Sequence, residues 1–410
     1  TFKFLGTDGM PLSECEVYIN GKLEGNTKDN GVYYFNYDSS EKKYSFLVNN
    51  LTENISKKFE INTKNGNNDL KKDFIGFNQL GAYLDIENMS AGLSEIMDNF
   101  QDAGVTDLFV PVFSNGKTIF PTKAPNVISA SKDHLKEIID ECSKRRIRIH
   151  AVVNILNWGS GNLDDFKFKN LLMLNRNGKW NEGSEKNEFF VSPANPETIK
   201  ILTEIVRELS INYRKLSGIS FDFLRFKKGK IENYMNEDFG FDNYSVETFK
   251  NTTRLDPFSI KPDTTEGSNW MRWVEHKENL LLNLAVKLIA AIKDTNSTIK
   301  ITISADPNYI YQRGKDLTCE NYYEIGEFTR IDYFLMKINE NSYVQDFKAV
   351  EPFITKTLPM LEGEIANKNK FDEIFKYIID NKYDYFFGVY DTDVFKSKPN
   401  RQKMLSIIFR

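Results

Sequence analysis

The feature that most constrains this chain is a rhythm that begins near Phe77. Eight short apolar runs follow, over residues 81–86, 107–112, 148–154, 218–223, 300–305, 331–338, 357–361 and 385–389. Stretches with helical spacing, such as 93–100, 134–145, 196–213 and 271–293, lie between most of them. Strands that alternate with helices pair in parallel, and parallel strands need crossover helices. Several runs are apolar without alternation, as expected where both faces of a strand are buried. Eight such repeats predict an α/β fold, a (β/α)8 TIM barrel, which needs roughly 250 residues. Helix ends agree locally. Asp133 can cap the helix that follows it, and Lys144, Arg145 and Arg146 stand at its far end, where the helix dipole favours cations. The alternative is an open doubly wound sheet with a glycine-rich phosphate loop after its first strand. Asp85-Ile86-Glu87-Asn88 stands there instead.

Residues 1–70 read differently. Short alternating runs at 16–19, 32–35 and 44–48 are separated by the turn dipeptides Asp8-Gly9, Asn20-Gly21 and Asn30-Gly31. This spacing predicts a small all-β sandwich preceding the barrel. Its order also resembles the carboxypeptidase-regulatory-like accessory module. Asn65-Gly66-Asn67-Asn68 reads as the linker, which gives two domains, 1–70 and 71–410. The 410 residues suffice for both. A net charge of -4 with no basic block lacks the footprint of a nucleic-acid binder. No apolar stretch reaches the ~18 residues of a membrane span. The three cysteines and three histidines are scattered, so no metal centre, serine–histidine triad or cofactor is expected. A monomer is expected.

In a barrel, the reactive groups come from the C-terminal ends of strands and the loops after them. The first strand delivers Asp85 and Glu87, and the third Asn154 with Trp158 beyond it. The fourth gives Asp222 and Arg225, the fifth Asp306, and the sixth Lys337 and Glu340. The seventh gives Glu362 and Glu364, and the eighth Asp391 and Asp393. Cleaving a glycosidic bond requires one carboxylic acid to protonate the leaving oxygen and a second group to stabilise the oxocarbenium-like centre or activate water. Strand ends rich in carboxylates meet that requirement. Trp158 could serve as a platform for the apolar face of a sugar ring or could pack internally. Trp270 and Trp273 read as packing residues on one helix face, and His150 as a core residue.

The strongest element is Gly218-Ile219-Ser220-Phe221-Asp222-Phe223-Leu224-Arg225. Asp222 interrupts an apolar strand, and a charge there costs several kcal/mol unless it is paired or used. Arg225 is the expected partner. The alternative is an ion pair that only holds a loop. Lys227, Lys228 and Lys230 follow, either as a solvated loop or as contacts to an anionic glycan.

This element and its surroundings resemble the glycosyl-hydrolase-like ten family. The likeness rests on Ser192-Pro193-Ala194-Asn195-Pro196-Glu197, a helix, and then the Asp222–Arg225 strand. It extends to Gly81-Ala82-Tyr83-Leu84, the segment 103–110, Ile149-His150-Ala151-Val152-Val153-Asn154, Gly240-Phe241-Asp242 and Trp270 with Trp273. The resemblance implies a glycoside-cleaving barrel that is secreted or associated with the wall of a Gram-positive bacterium and acts on amino-sugar polymers. It implies Asp222 as catalytic acid with Arg225 beside it. The substrate class would be peptidoglycan, cleaved as a lytic transglycosylase or hydrolase; the alternatives are a poly-glucosamine-type extracellular polysaccharide or a non-catalytic glycan-binding barrel. Two departures bear on the substrate. Ser220 replaces the family's usual histidine or acid two positions before the motif aspartate, and Lys227-Lys228-Gly229 replaces its proline.

Overall fold

The computed structural model describes residues 2–5, 11–35, 41, 43–52, 55–62, 72–76, 79–84, 92–306, 312–338, 342–350, 357–361, 373–374, 377 and 386–389. Eight strands of the expected repeat are among them: β1 (Gln79–Tyr83), β2 (Asp107–Ser114), β3 (Arg148–Asn154), β4 (Gly218–Asp222), β5 (Lys300–Ala305), β6 (Tyr333–Ile338), β7 (Thr357–Leu361) and β8 (Phe386–Val389). The helices that matter below are α1 (Leu93–Asp102), α2 (His134–Lys144), α3 (Pro196–Asn212), α4 (Asn269–Lys293) and α5 (Tyr322–Phe328). Strand pairs in this series are parallel. The fold is α/β, a (β/α)8 barrel preceded by a small all-β sandwich. Among the described residues, no helix is long and apolar enough to cross a membrane.

The chain divides into two compact units, and β2 and β3 run through both. The first comprises residues 1–110, 137–150 and 358–410. It opens with an antiparallel sheet in the order Lys22–Asn26, Glu16–Ile19, Lys43–Asn50, Ile55–Asn62. Alternation puts Val17, Ile19, Phe46, Val48, Phe59 and Ile61 on one face, where they pack with Phe4. The Phe46 and Phe59 rings stack at 5.0 Å, and truncating either to alanine would cost about 3–5 kcal/mol. The sheet's last strand meets the connection between α1 and β2: Lys57 Nζ donates to the Gly104 carbonyl at 3.3 Å, and Lys58 pairs with Asp102 at 2.7 Å. The expected boundary near residue 70 falls outside the described residues. Here too lie β8, β1 and the first residues of β2 and β3. Asp107, which starts β2, is buried and saturated. It accepts from Arg148 at 2.6 Å and from Thr106 Oγ1 at 2.8 Å, and its other oxygen lies 2.8 Å from His150 Nε2. His150 is buried and stacks on Phe109 at 4.6 Å.

The second unit comprises residues 111–136 and 151–357. Helix α3 starts where the sequence commands it. Asn195 accepts from the Glu197 N–H at 2.9 Å, and Pro196 occupies the first turn, where its missing N–H costs nothing. Ile201, Leu202, Ile205, Val206 and Leu209 form its buried stripe. Ser268 caps α4 by accepting from the Met271 N–H. Trp270 and Trp273 on α4 are fully buried, with indole N–H groups on the Gly314 carbonyl and the Asp238 carboxylate. Both are packing residues. Register decides what β4, β5 and β6 present. Ser220 lies opposite Thr302, and Ser304 opposite Leu335. Parallel pairing keeps partners on one face, and alternation extends it. That face therefore carries Ser220, Asp222, Thr302, Ser304, Asp306, Leu335 and Lys337. The opposite face carries Ile219, Phe221, Ile301, Ile303, Phe334 and Met336, all buried.

Candidate active site

Asp222 is the last residue of β4, and its side chain is 13% exposed. Its Oδ1 accepts the backbone N–H of Phe223 at 3.0 Å and lies 4.0 Å from Lys337 Nζ at the end of β6. A donor and a cation thus address one oxygen. The two strand ends are joined as register predicts, because both residues occupy the same face. Asp306, just past β5, shares that face and pairs with Lys228 at 3.6 Å. Asn154 stands half-buried at the end of β3. The backbone after β3 is tied to β4: Ile155 N–H donates to the Asp222 carbonyl at 2.8 Å and Leu156 N–H to that of Phe223 at 3.2 Å.

Arg225 is not the partner of Asp222. Its guanidinium forks onto Glu185 at 2.6 and 3.2 Å and also donates to the Phe226 carbonyl at 3.0 Å. It lies against the rings of both Phe190 and Phe223, at 5.0 and 5.3 Å. Burial works against the charged guanidinium, but Glu185 more than offsets this and holds its pKa above the ordinary value. A planar fork clamped by a carboxylate and held against two rings is a rigid strut, so the Arg225 charge is already engaged by Glu185.

Trp158 is also reassigned. It is fully buried, its indole N–H donates to the Ile155 carbonyl at 2.9 Å, and Phe113 and Phe168 meet it edge to face. No sugar platform is presented. Lys227 is no solvated-loop residue either. It is fully buried, with Nζ on the Trp180 and Glu188 carbonyls at 2.7 and 3.3 Å, and burial draws its pKa down to about 8. Lys228 and Lys230 are the exposed members of that run. Asp85, Glu87, Glu340, Glu362, Glu364, Asp391 and Asp393 lie outside the described residues.

One carboxyl escaped sequence reasoning. Glu320, between β5 and α5, is 4% exposed. The Tyr322 hydroxyl donates to its Oε1 and itself accepts the Asp306 N–H at 2.9 Å. Oε2 has no hydrogen-bond partner among the described residues. Burial pushes the Glu320 pKa up to about 8; the Arg225 charge opposes this, while Asp316 and Asp306 add to it. A carboxyl that stays protonated at neutral pH, tied to the end of β5, belongs among the site's titratable groups. The available hint was an acid set in Leu317-Thr318-Cys319-Glu320, but nothing in that string announces burial.

The motif residues around Asp222 are largely structural punctuation. Asn195 caps α3. Asp242 caps the helix Asn243–Thr253 through the Ser245 N–H and hydroxyl, at 3.2 and 2.9 Å.

The family model described as glycosyl hydrolase-like 10 matches residues 85–354. No curated protein matches the chain. Among solved structures, α-L-fucosidase isoenzyme 2 from Paenibacillus thiaminolyticus is similar with a TM-score of 0.56 at 10% identity, covering 81% of this chain and 49% of that one. An α-amylase from Lactobacillus plantarum has a TM-score of 0.48 at 10% identity, with 82% and 80% covered. The glycoside hydrolase domain of PelA from Pseudomonas aeruginosa has a TM-score of 0.41 at 9% identity, with 77% and 96% covered. The fucosidase likeness bears on the fold alone, the two lower scores carry no argument, and this chain spans about half the fucosidase's length.

Proposed function

Because the chain belongs to the glycosyl hydrolase-like 10 family, we propose that it cleaves glycosidic bonds in an amino-sugar-containing cell-wall polysaccharide, peptidoglycan first, with Asp222 as general acid. The observation that carries this reading is the placement of Asp222 at the C-terminal end of β4, with the Phe223 N–H at 3.0 Å and Lys337 Nζ at 4.0 Å from one oxygen. When the acid gives its proton to the leaving oxygen, it becomes a carboxylate. The Phe223 N–H and the Lys337 ammonium stand where that charge develops, and groups fixed in advance at such a place accelerate a reaction.

An N-acetylated amino sugar brings its own carbonyl, which can attack the anomeric carbon as the glycosidic bond breaks. The leaving oxygen takes the Asp222 proton in the same step. Attack by the muramic 6-hydroxyl on the resulting intermediate gives an anhydro end, and attack by water gives a reducing end. In either case the attacking hydroxyl's proton returns to Asp222. The reading places the protein outside the cell or on its wall, acting as a monomer. The test is mass spectrometry of purified peptidoglycan and of poly-N-acetylglucosamine after incubation with the protein. Anhydro-muramic ends identify a transglycosylase, and new reducing ends a hydrolase. Intact glycan that is nonetheless bound by the wild type would overturn the enzymatic reading in favour of a glycan-binding barrel.

A further inference from the structure

The residue after Asp222 is strained, and the strain has a use. Phe223 has φ +53, in the left-handed region that a bulky side chain rarely enters. Such a conformation persists only where the surroundings over-determine it. Here Leu156 N–H holds the Phe223 carbonyl at 3.2 Å and Ile155 N–H holds that of Asp222 at 2.8 Å. The ring is fixed as well. Phe190 meets it edge to face at 6.3 Å, and the Arg225 guanidinium, clamped by Glu185, sits 5.3 Å from its centroid. The Lys337 ammonium lies 5.6 Å from the same centroid and 4.0 Å from Asp222 Oδ1.

We propose that Phe223 is a positioning residue acting through Asp222: its left-handed turn sets where its ring stands, and the ring seats the Lys337 ammonium beside the oxygen that the Phe223 N–H already holds. This deepens the reading of Asp222 as the reactive carboxyl and rests on it. The physical case is that a lysine head on a four-carbon stem is mobile, and the negative face of an aromatic ring is a seat for it. A left-handed residue also turns the chain abruptly at the strand end. That turn fixes the direction of the ring, while the N–H, part of the peptide joining Phe223 to Asp222, meets the Asp222 carboxylate at 3.0 Å.

The test separates the ring's electrostatics from its bulk. Phe223→Leu keeps an apolar side chain and the N–H but removes the aromatic face, whereas Phe223→Tyr keeps the face. On purified peptidoglycan, Phe223→Leu is expected to lower kcat about tenfold, the scale of a lost cation–π contact, with KM nearly unchanged and the pH profile of kcat displaced. Phe223→Tyr restores both. Lys337→Met loses a similar factor, and the double variant Phe223→Leu/Lys337→Met loses no more than either alone, because the two act as one unit. A lower Tm with kcat and pH profile unchanged, or losses that multiply in the double variant, overturns the proposal. Crystal structures provide a readout that needs no turnover. In Phe223→Leu, Lys337 Nζ should leave Asp222, whereas an ammonium that stays in place overturns the proposal even if the wild type is active. An inactive wild type with an ammonium that leaves its seat refutes the proposed function and not the positioning role.

Discussion

Asp107 and Asp222 both interrupt apolar strands of a parallel barrel, and their surroundings could hardly differ more. Asp107 opens β2 and is saturated by Arg148, His150 and Thr106, within 2.6–2.8 Å. Burial pushes its carboxyl up, but Arg148 and His150 outweigh this and hold it well below the usual carboxylate range. Asp222 closes β4 with one N–H at 3.0 Å and a cation no nearer than 4.0 Å. The first is a finished ion cluster at the start of a strand, where conservation of stability is the usual business of a barrel. Among the described residues the second has few partners, at the strand end where barrels carry out chemistry. A buried strand carboxylate signals function only when its partners leave capacity for a substrate.

The sharpest way to break this comparison is to neutralise each acid. Asp222→Asn should lower glycan cleavage about 10³-fold, the scale of a lost general acid, and leave glycan binding and Tm close to wild type. Product release measured by mass spectrometry and binding by calorimetry check both halves. Asp107→Ala should do the reverse. Removing it takes the Asp107 carboxylate from the largely buried Arg148, at a cost of about 3–5 kcal/mol, readable by urea unfolding. A variant that still folds should show an unchanged kcat. If Asp107→Ala instead abolishes turnover at full stability, the contrast collapses.

Glu320 sharpens the comparison within the second unit. Its folded pKa of about 8 lies above the ordinary 4.5. Between those values the folded protein keeps a proton that the unfolded chain has lost. Stability therefore falls as pH rises from about 4.5 to about 8, then levels off. Glu320→Gln has no such loss. Its stability should exceed the wild type's by up to about 4 kcal/mol at pH 8, and the gap should shrink towards pH 4.5. Denaturant midpoints across that range check the slope, and a gap that widens at low pH would contradict the assignment. The smallest effect is expected for Lys228→Ala. Its pair with Asp306 at 3.6 Å is half-exposed, and such pairs contribute about 0–1 kcal/mol. A rise in KM beyond about tenfold, with Tm unchanged, would instead give this lysine a role in holding an anionic glycan.

Much of the fold was legible because its signals are local. Each of the eight apolar runs became a strand, and Asn195-Pro196 and Asp133 start their helices as capping chemistry dictates: Asp133 accepts the Lys136 N–H at 2.9 Å. The shared face of Asp222, Asp306 and Lys337 also follows from alternation once the strands pair. Partners were not legible. Arg225 stands three residues from Asp222, yet its guanidinium takes Glu185, forty positions earlier, because contact with the Phe190 and Phe223 rings fixes its direction. The sequence left Trp158 open between a sugar platform and internal packing and read Lys227 as a loop residue; both side chains are fully buried.

The sequence alone determined where strands and helices begin and that an aspartate closes the fourth strand, since periodicity, caps and a charge inside an apolar run depend only on neighbours along the chain. Tertiary structure alone decided who pairs with whom. It placed Glu320 out of water, committed Arg225 to Glu185 and seated Lys337 over Phe223. Desolvation and ring stacking depend on atoms that meet only after the chain has folded.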